Sequence, residues 1–261
     1  EPTTAERHDF NLRKVDNNRH VIVAVTDIHL ANRLNDVEVF TNSFVPSLTA
    51  EIEQYRKQGI PVYTICMGDS SFDLYWYDYN YDIADFRATM GKIGYPTPIF
   101  HTMGNHDNNG RTPAGDDVDL RASGPFRKMV GPTHVAMNIG KIHYMLLDDI
   151  LYYNGYTGSN SDVDALFGDC NYHAGFRPDM LTWIERDLSY VDKNTPIVIG
   201  LHIPLVNWTG SDRNYEFNVK SNWTAFMDLF KDFKEVNFIT GHTHQTRFRR
   251  VPGYNNMYEH N

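Results

Sequence analysis

Runs of apolar residues alternate with segments of helical periodicity along most of this chain of 261 residues. Stretches rich in Val, Ile and Leu predict β-strands, and several are apolar at nearly every position, as in strands that are covered on both faces. The predicted strands are residues 20–26, 61–67, 98–103, 135–138, 141–147, 195–201 and 236–240. Because the fourth and fifth strands are separated by a very short connection, we expect a hairpin that turns at Gly140.

Segments between these strands predict helices. Residues 36–58 place apolar side chains at helical spacing and stop before Gly59, a residue type common just beyond helix ends. Pro46 lies inside this segment and should kink the helix or divide it in two. Residues 178–188 begin with proline in the first turn, and Ser221 is a candidate N-cap of a further helix. This alternation, interrupted by a hairpin, predicts an α/β protein with mixed sheets.

Composition excludes some function classes. The net charge of −9 argues against a general nucleic-acid-binding protein. The same charge is compatible with a phosphate substrate, because bound cations can reverse the local sign. The sequence contains no apolar run long enough to span a membrane, and its first residues lack the apolar core of a signal peptide. Of the two cysteines, Cys66 lies in a predicted strand and Cys170 in a polar loop, so we do not expect a disulfide between them.

Short pieces with carboxylate, amide and imidazole side chains directly follow five of the predicted strands. In open α/β sheets, ligands bind in the crevice beyond the carboxyl ends of the strands, so these pieces should meet there. Together they supply oxygen and imidazole ligands that suit Mn, Fe, Zn or Ni. The pieces are Asp27-Ile28-His29, Gly68-Asp69, Gly104-Asn105-His106-Asp107, His202 and Gly241-His242-Thr243-His244.

The sequence of these pieces also predicts how their backbone and side chains are arranged. Asp27 and His29 are separated by one residue, so in extended backbone both side chains would point to the same side. The glycines at 68, 104 and 241 should permit turns in which the backbone passes close to the bound ions. Each piece alone is also compatible with a polar turn or a structural histidine. The ordered set favours a site for two neighbouring divalent cations.

With these motifs in this order, the chain resembles the calcineurin-like metallophosphoesterases over roughly residues 20–246. The resemblance implies a four-layer αββα sandwich, in which two mixed sheets are flanked by helices. It also implies one catalytic domain over residues 1–261, with residues 1–19 as an N-terminal extension of the motif-bearing core.

The resemblance further assigns roles to the motif residues. Four side chains would hold the first metal ion: Asp27, His29, Asp69 and His244. Asp69 would bridge to the second ion, which Asn105, His202 and His242 complete. A hydroxide shared by the two ions would attack phosphorus in line. His106 would protonate the leaving group, with Asp107 orienting its ring. The implied activity is hydrolysis of phosphomonoesters or phosphodiesters.

Two departures from the purple acid phosphatases narrow the resemblance. Phe72 stands where those enzymes have an iron-binding tyrosine, and His29 stands in the first motif, so the pattern is closer to members that act on phosphodiesters and cyclic nucleotides. The segment around Asp69 also resembles bacterial secreted or envelope phosphoesterases, although compartment and oligomeric state stay open. The aromatic residues of 72–81 fit either a wall of the cleft or simple packing.

A catalytically silent scaffold of the same fold is the main alternative, but every ligand position is filled here. A mononuclear structural zinc site fits poorly, because such sites favour cysteine-rich shells.

Overall fold

The computed structural model describes residues 12, 14–113, 115–152, 172–206 and 222–261. Its strands form two main sheets and one short ribbon. The strands, in chain order, are β1 (Val21–Val25), β2 (Val62–Met67), β3 (Ile99–Thr102), β4 (Val135–Ile139), β5 (Ile142–Leu146), β6 (Ile150–Tyr152), β7 (Tyr172–Ala174), β8 (Ile197–Gly200), β9 (Val236–Ile239), β10 (Phe248–Arg250) and β11 (Met257–His260).

The first sheet has the order β1-β2-β3 and is parallel throughout. The second has the order β10-β11-β9-β8-β5-β4, with a parallel centre and antiparallel pairs at both edges. β6 and β7 form the antiparallel ribbon. The parallel strands of both sheets therefore end on one side of the molecule, where the motif residues follow them.

Helices cover the outer faces of the two sheets. They are α1 (Asp36–Val39), continued by a π-helical turn (Phe40–Phe44) and α2 (Val45–Arg56), then α3 (Leu74–Asp78), α4 (Ile83–Ile93), α5 (Val118–Ala122), α6 (Gly124–Met129), α7 (Pro178–Leu188) and α8 (Trp223–Asp228). A 3-10 turn, Asn105–Asp107, lies between α4 and α5.

The apolar core follows these layers. Ile65 and Met67 of β2 pack against Leu146 of β5 between the two sheets. A second cluster, which includes Phe86 and Phe126, lies under the helices on the first sheet. A third lies under α7 and α8, and its members include Ile184, Phe226, Phe230 and Phe238. The structure is thus the expected sandwich of helix, sheet, sheet and helix layers.

The predicted strands correspond to β1–β5, β8 and β9, and the hairpin turns at Gly140, whose φ is 61°. The predictions missed β6, β7, β10 and β11. Each of these has only three or four residues, too few for a periodic pattern to show.

Pro46 interrupts its helix, as predicted. The interruption takes the form of a π-helical turn just before it, in which the Val45 N–H donates to the Phe40 carbonyl. The wider turn accommodates a residue that has no N–H to donate. The helix of 178–188 lies where predicted.

Ser221 and Cys170 lie outside the described residues. Asn222 is the N-cap of α8, and its side-chain amide instead bridges to the Phe176 backbone. Cys66 is a buried free thiol. Among the described residues, the structure contains no helix with the length and apolar composition of a membrane span.

Candidate metal centre

The predicted metal-binding residues lie just beyond the carboxyl ends of parallel strands. Asp27 and His29 follow β1, Asp69 follows β2, Asn105 follows β3, His202 follows β8, and His242 and His244 follow β9. The structure brings their side chains together. Three groups, each with ligand atoms within 4.8 Å of one another, are formed by Asp27 with His29 and His244, by His29 with Asp69 and His106, and by Asp69 with His202 and His242.

Asp69 lies at the centre of these groups. Its Oδ2 is 3.0 Å from His29 Nε2 and 3.2 Å from His202 Nε2, on two sides of the cluster. Its Oδ1 accepts a hydrogen bond of 2.8 Å from the His106 backbone N–H. Burial opposes ionisation of this carboxylate, but His202 and His106 hold its pKa well below the usual range. Asp69 is therefore an anion that joins two clusters of imidazoles.

Asp27 organises one side of the cluster. Its Oδ1 is 3.2 Å from His244 Nε2 and 3.9 Å from His29 Nε2. Its Oδ2 accepts hydrogen bonds from Thr26 Oγ1, at 2.6 Å, and from the His242 backbone N–H, at 3.0 Å. These bonds fix the carboxylate against two strand ends and leave it facing the imidazoles.

Asn105 organises the other side. Its Oδ1 is 3.0 Å from His202 Nε2 and 3.1 Å from His242 Nδ1, and these two ring nitrogens are 3.3 Å apart. Asn105 Nδ2 is buried and has no hydrogen-bond partner among the described residues. The Asn105 amide thus points its oxygen toward the two histidines, and this oxygen is the atom that could bind a cation.

The second side fits a metal cation by its chemistry. His202 Nδ1 lies 2.8 Å from the Met67 carbonyl, to which it can only donate. In the neutral ring, Nε2 then presents a lone pair to the oxygens of Asp69 and Asn105. Burial lowers the pKa of His202, but Asp69 more than offsets it and raises that pKa to about 10. Without a metal ion, a proton on Nε2 meets this demand for positive charge. A divalent cation would take the place of that proton, and oxygen with imidazole donors suits a divalent transition metal.

The backbone of these segments differs from the expectation for Asp27 and His29. Neither residue is extended: their φ values are 50° and 46°. The two side chains do converge, as predicted, but left-handed backbone brings them together. The expectation of extended backbone was wrong. Asp69, His242 and His244 share this geometry, with φ values of 50°, 68° and 53°.

All three glycines at 68, 104 and 241 permit tight packing of these segments, and a Cβ on Gly68, whose φ is 91°, would lie 2.5 Å from the Gly104 backbone nitrogen. A Cβ on Gly104 would lie 2.1 Å from Asp69 Oδ1, and one on Gly241 would lie 1.9 Å from Thr26 Oγ1. These distances are all far below van der Waals contact. The missing side chains are therefore a requirement of the site.

The ring of His106 is oriented by Asp73, not by Asp107. His106 Nδ1 and Asp73 Oδ1 are 2.7 Å apart, and both side chains are buried. Asp107 instead accepts hydrogen bonds from the backbone N–H groups of Ser71, at 2.9 Å, and Gly104, at 3.0 Å. Burial and the nearby Asp69 raise the pKa of Asp107 to about 6. The predicted role of Asp107 was wrong, because its oxygens hold the motif backbone together.

Asp73 and Asp149 were missed by sequence analysis. Asp149 is fully buried and accepts hydrogen bonds from the backbone N–H groups of His202, at 3.2 Å, and Ile203, at 2.8 Å. Burial raises its pKa to about 7, although His202 acts in the opposite direction. Asp73, four residues after Asp69, was hidden among aromatic residues.

The aromatic segment contributes both a wall and packing. The Phe72 ring centroid lies 4.6 Å from the rings of His29 and His106, so this side chain borders the cluster. Trp76 and Tyr81 are buried in the core. Each of the two interpretations of this segment therefore holds for part of it.

Solved structures share the fold at low sequence identity. A dimetal phosphatase from Danio rerio is 13% identical, with a TM-score of 0.56 over 92% of this chain and 85% of that one. A phosphopantetheinyl hydrolase from Mycobacterium tuberculosis is 15% identical, with a TM-score of 0.51 over 94% and 89%. A 5'-nucleotidase from Candida albicans is 15% identical, with a TM-score of 0.50 over 96% of this chain and 46% of that one. No curated protein matches the sequence.

The sequence itself matches a protein-family model. The match to the calcineurin-like phosphoesterases covers residues 20–246, most of the chain and all of the motif residues. Members are metal-dependent hydrolases of phosphate esters and use a dinuclear site of divalent metal ions. The chain therefore belongs to the calcineurin-like phosphoesterase family.

Proposed function

We propose that this protein hydrolyses phosphate monoesters or diesters with two divalent metal ions, of the class Mn, Fe, Zn or Ni. The observation that carries the proposal is Asp69, whose Oδ2 lies within 3.2 Å of imidazoles on two sides of one cluster. The residues that would hold the ions are Asp27, His29, Asp69, Asn105, His202, His242 and His244.

The bound cations would acidify the attacking water and neutralise charge on the phosphoryl oxygens. The chain's own residues prepare the site for this. Asp27 and Asp69 supply negative charge inside a largely buried cluster, and Asn105 supplies a neutral oxygen. Asp149 and Met67 hold His202 through its backbone N–H and its Nδ1. The ligand atoms are thus positioned before any substrate arrives.

His106 is the proposed proton donor to the leaving oxygen. Asp73 accepts a hydrogen bond from the Nδ1–H of His106, so the proton available for transfer is the one on Nε2. The carboxylate also stabilises the charged form of the ring. The His106 backbone N–H donates a hydrogen bond to Asp69 Oδ1, so the proposed acid, His106, is held at a fixed position relative to Asp69. A general acid of this kind contributes about 10²–10⁴-fold to rate.

The first test combines metal analysis with a turnover assay. For protein produced in cells supplied with Mn²⁺, we expect mass spectrometry to find two metal ions per chain. We also expect the protein to hydrolyse bis-p-nitrophenyl phosphate or p-nitrophenyl phosphate. Two bound ions without turnover of either ester would favour the silent scaffold. A chain that binds no more than one ion would refute the proposed site.

The second test addresses His106. His106→Asn should keep both ions and slow esters with poor leaving groups most, by about 10²–10⁴-fold. His134→Asn is the matched control, since this ring packs on Trp183 away from the cluster. Loss of a metal ion in His106→Asn would instead make His106 a ligand, in line with its place beside His29 and Asp69.

A further inference from the structure

The turn of residues 241–244 carries two proposed metal ligands on strained backbone. His242 and His244 have φ values of 68° and 53°, in the left-handed region. A residue other than glycine stays in that region only where the surrounding structure holds it there. The contacts of this turn therefore decide where the two imidazoles point.

His244 is the most exposed of the seven proposed ligands. Its side chain is 59% exposed, whereas that of His29 is 13% exposed. Its ring contacts Asp27 and His29, which are themselves proposed ligands. Among the described residues, the ring has no hydrogen-bond or aromatic partner outside the cluster. The position of His244 is therefore set by the backbone of its turn, and not by packing of its side chain.

Asn261 forms hydrogen bonds with this turn at two points. Its Nδ2 donates to the Gly241 carbonyl, at 2.5 Å, and to Thr240 Oγ1, at 3.2 Å. Its Oδ1 accepts a hydrogen bond from Thr243 Oγ1. The Gly241 carbonyl also accepts from the Thr243 N–H, at 2.7 Å. One side-chain amide thus joins the two residues that flank His242.

The backbone of Asn261 is itself fixed by the second sheet. Asn261 directly follows β11, which runs parallel to β9, the strand that leads into the turn. The Asn261 N–H donates to the Arg247 carbonyl, at 2.8 Å, and the Asn261 carbonyl accepts from the Arg247 N–H, at 2.6 Å. The sheet therefore holds the Asn261 amide at the strand ends where the proposed ligands gather.

We propose that Asn261 is a positioning residue of the metal centre. Its amide holds the turn of residues 241–244 so that His242 and His244 face the cluster. This role rests on the proposed function, in which both histidines bind the metal ions. Asn261 acts through these histidines and contacts neither the ions nor the substrate.

The two metal ions should depend on this amide to different extents. His242 has further support, because its Nδ1 lies 3.1 Å from Asn105 Oδ1 and its backbone N–H donates to Asp27. His244 lacks comparable support outside the turn. Loss of the amide should therefore weaken binding of the first ion, which His244 would help to hold, more than binding of the second.

The test measures Mn²⁺ binding to the metal-free chain by isothermal titration calorimetry. Asn261→Ala should raise the Kd of the first ion by about 10–100-fold, the usual effect of removing a group that orients a ligand. The Kd of the second ion should rise less. His244→Ala and Asn105→Ala identify the two binding steps, since each removes a proposed ligand of one ion only.

Asn256→Ala is the matched control. Asn256 precedes β11, at the end of the strand opposite the cluster, and its Nδ2 also donates to backbone carbonyls. They are the carbonyls of Phe230, Lys231 and Phe233. This variant should lower Tm and leave the Kd of both ions unchanged.

Thr243 supplies a second pair of variants. Thr243→Val keeps the shape of the side chain and removes the hydroxyl that donates to Asn261, so it should weaken binding of the first ion. Thr243→Ser keeps the hydroxyl and should bind like the original chain. In the metal-free chain, the Thr243 amide should exchange with deuterium faster in Asn261→Ala and Thr243→Val, which reports the loosened turn without any metal.

Three results would overturn the positioning role while the original chain still binds two ions. The first is an unchanged Kd of the first ion in Asn261→Ala. The second is an equal loss in Asn256→Ala, which would indicate general destabilisation. The third is equal binding by Thr243→Val and Thr243→Ser. An original chain that binds no Mn²⁺ would instead refute the proposed function, and this role with it.

Discussion

Asp73→Asn tests the assignment of the group that orients the proposed acid. The substitution keeps the size of the side chain and removes its negative charge. In the structure, Asp73 Oδ1 lies 2.7 Å from His106 Nδ1, and both side chains are buried. The charged form of the His106 ring would therefore lose its anionic partner, while the proposed metal-binding side chains stay in place.

The size of the effect follows from this one contact. A hydrogen bond to a charged group is worth about 1.5–3 kcal/mol. At 1.36 kcal/mol per factor of ten, that corresponds to a loss of about 10–150-fold in rate. The loss should appear with alkyl esters, whose leaving oxygens need a proton. It should be small with p-nitrophenyl esters, whose leaving groups depart as anions.

The assay is kcat across a series of esters graded by leaving-group acidity, with metal content measured in parallel. Asp107→Asn is the matched variant, because it makes the same change on the carboxylate that holds the Gly104 and Ser71 backbone. It should lower thermal stability without steepening the dependence on the leaving group. If Asp107→Asn steepened that dependence and Asp73→Asn did not, the assignment of Asp73 would be refuted.

Three further outcomes are expected. Asn105→Ala should reduce bound metal to one ion per chain and kcat by more than about 100-fold, as elemental analysis and turnover will show. Gly241→Ala would place a Cβ 1.9 Å from Thr26 Oγ1. The free energy of unfolding should therefore decrease by about 1–3 kcal/mol, and Tm should fall with it. An unchanged Tm would contradict the close packing. Burial raises the pKa of Glu259 from 4.5 to about 7, so the folded chain keeps a proton that the unfolded chain releases between these values. The free energy of unfolding should therefore decrease by up to about 3 kcal/mol as pH rises from 4.5 through 7. Glu259→Gln, which keeps an acceptor for the Leu205 N–H, should flatten that decrease in urea titrations.

The strands that lead to the site could be predicted because they are buried on both faces. Runs such as residues 195–201 are apolar at almost every position, and the polar residue that ends each run marks the carboxyl edge of a sheet. The convergence of Asp27, Asp69, Asn105 and His202 then follows from parallel topology. That these residues bind metal, and that residues 1–261 form one catalytic domain, stay predictions.

Other features depend on contacts that leave no periodic signal. Asp73 shares its segment with aromatic residues, and its role is decided by a histidine 33 positions away. Asp107 lies next to His106 in sequence, yet the 3-10 turn directs its carboxylate toward backbone N–H groups. β10 and β11 are short and mix polar with aromatic residues.

The left-handed backbone lowers the stability of the chain at five residues: Asp27, His29, Asp69, His242 and His244. A non-glycine residue in that conformation costs roughly 1–2 kcal/mol, so the five together approach the whole stability of an ordinary domain. Glycine at any of them would relieve the strain and remove a side chain that the proposed metal centre needs. Under the proposed function, these side chains are therefore kept at the expense of stability, since each would serve as a metal ligand.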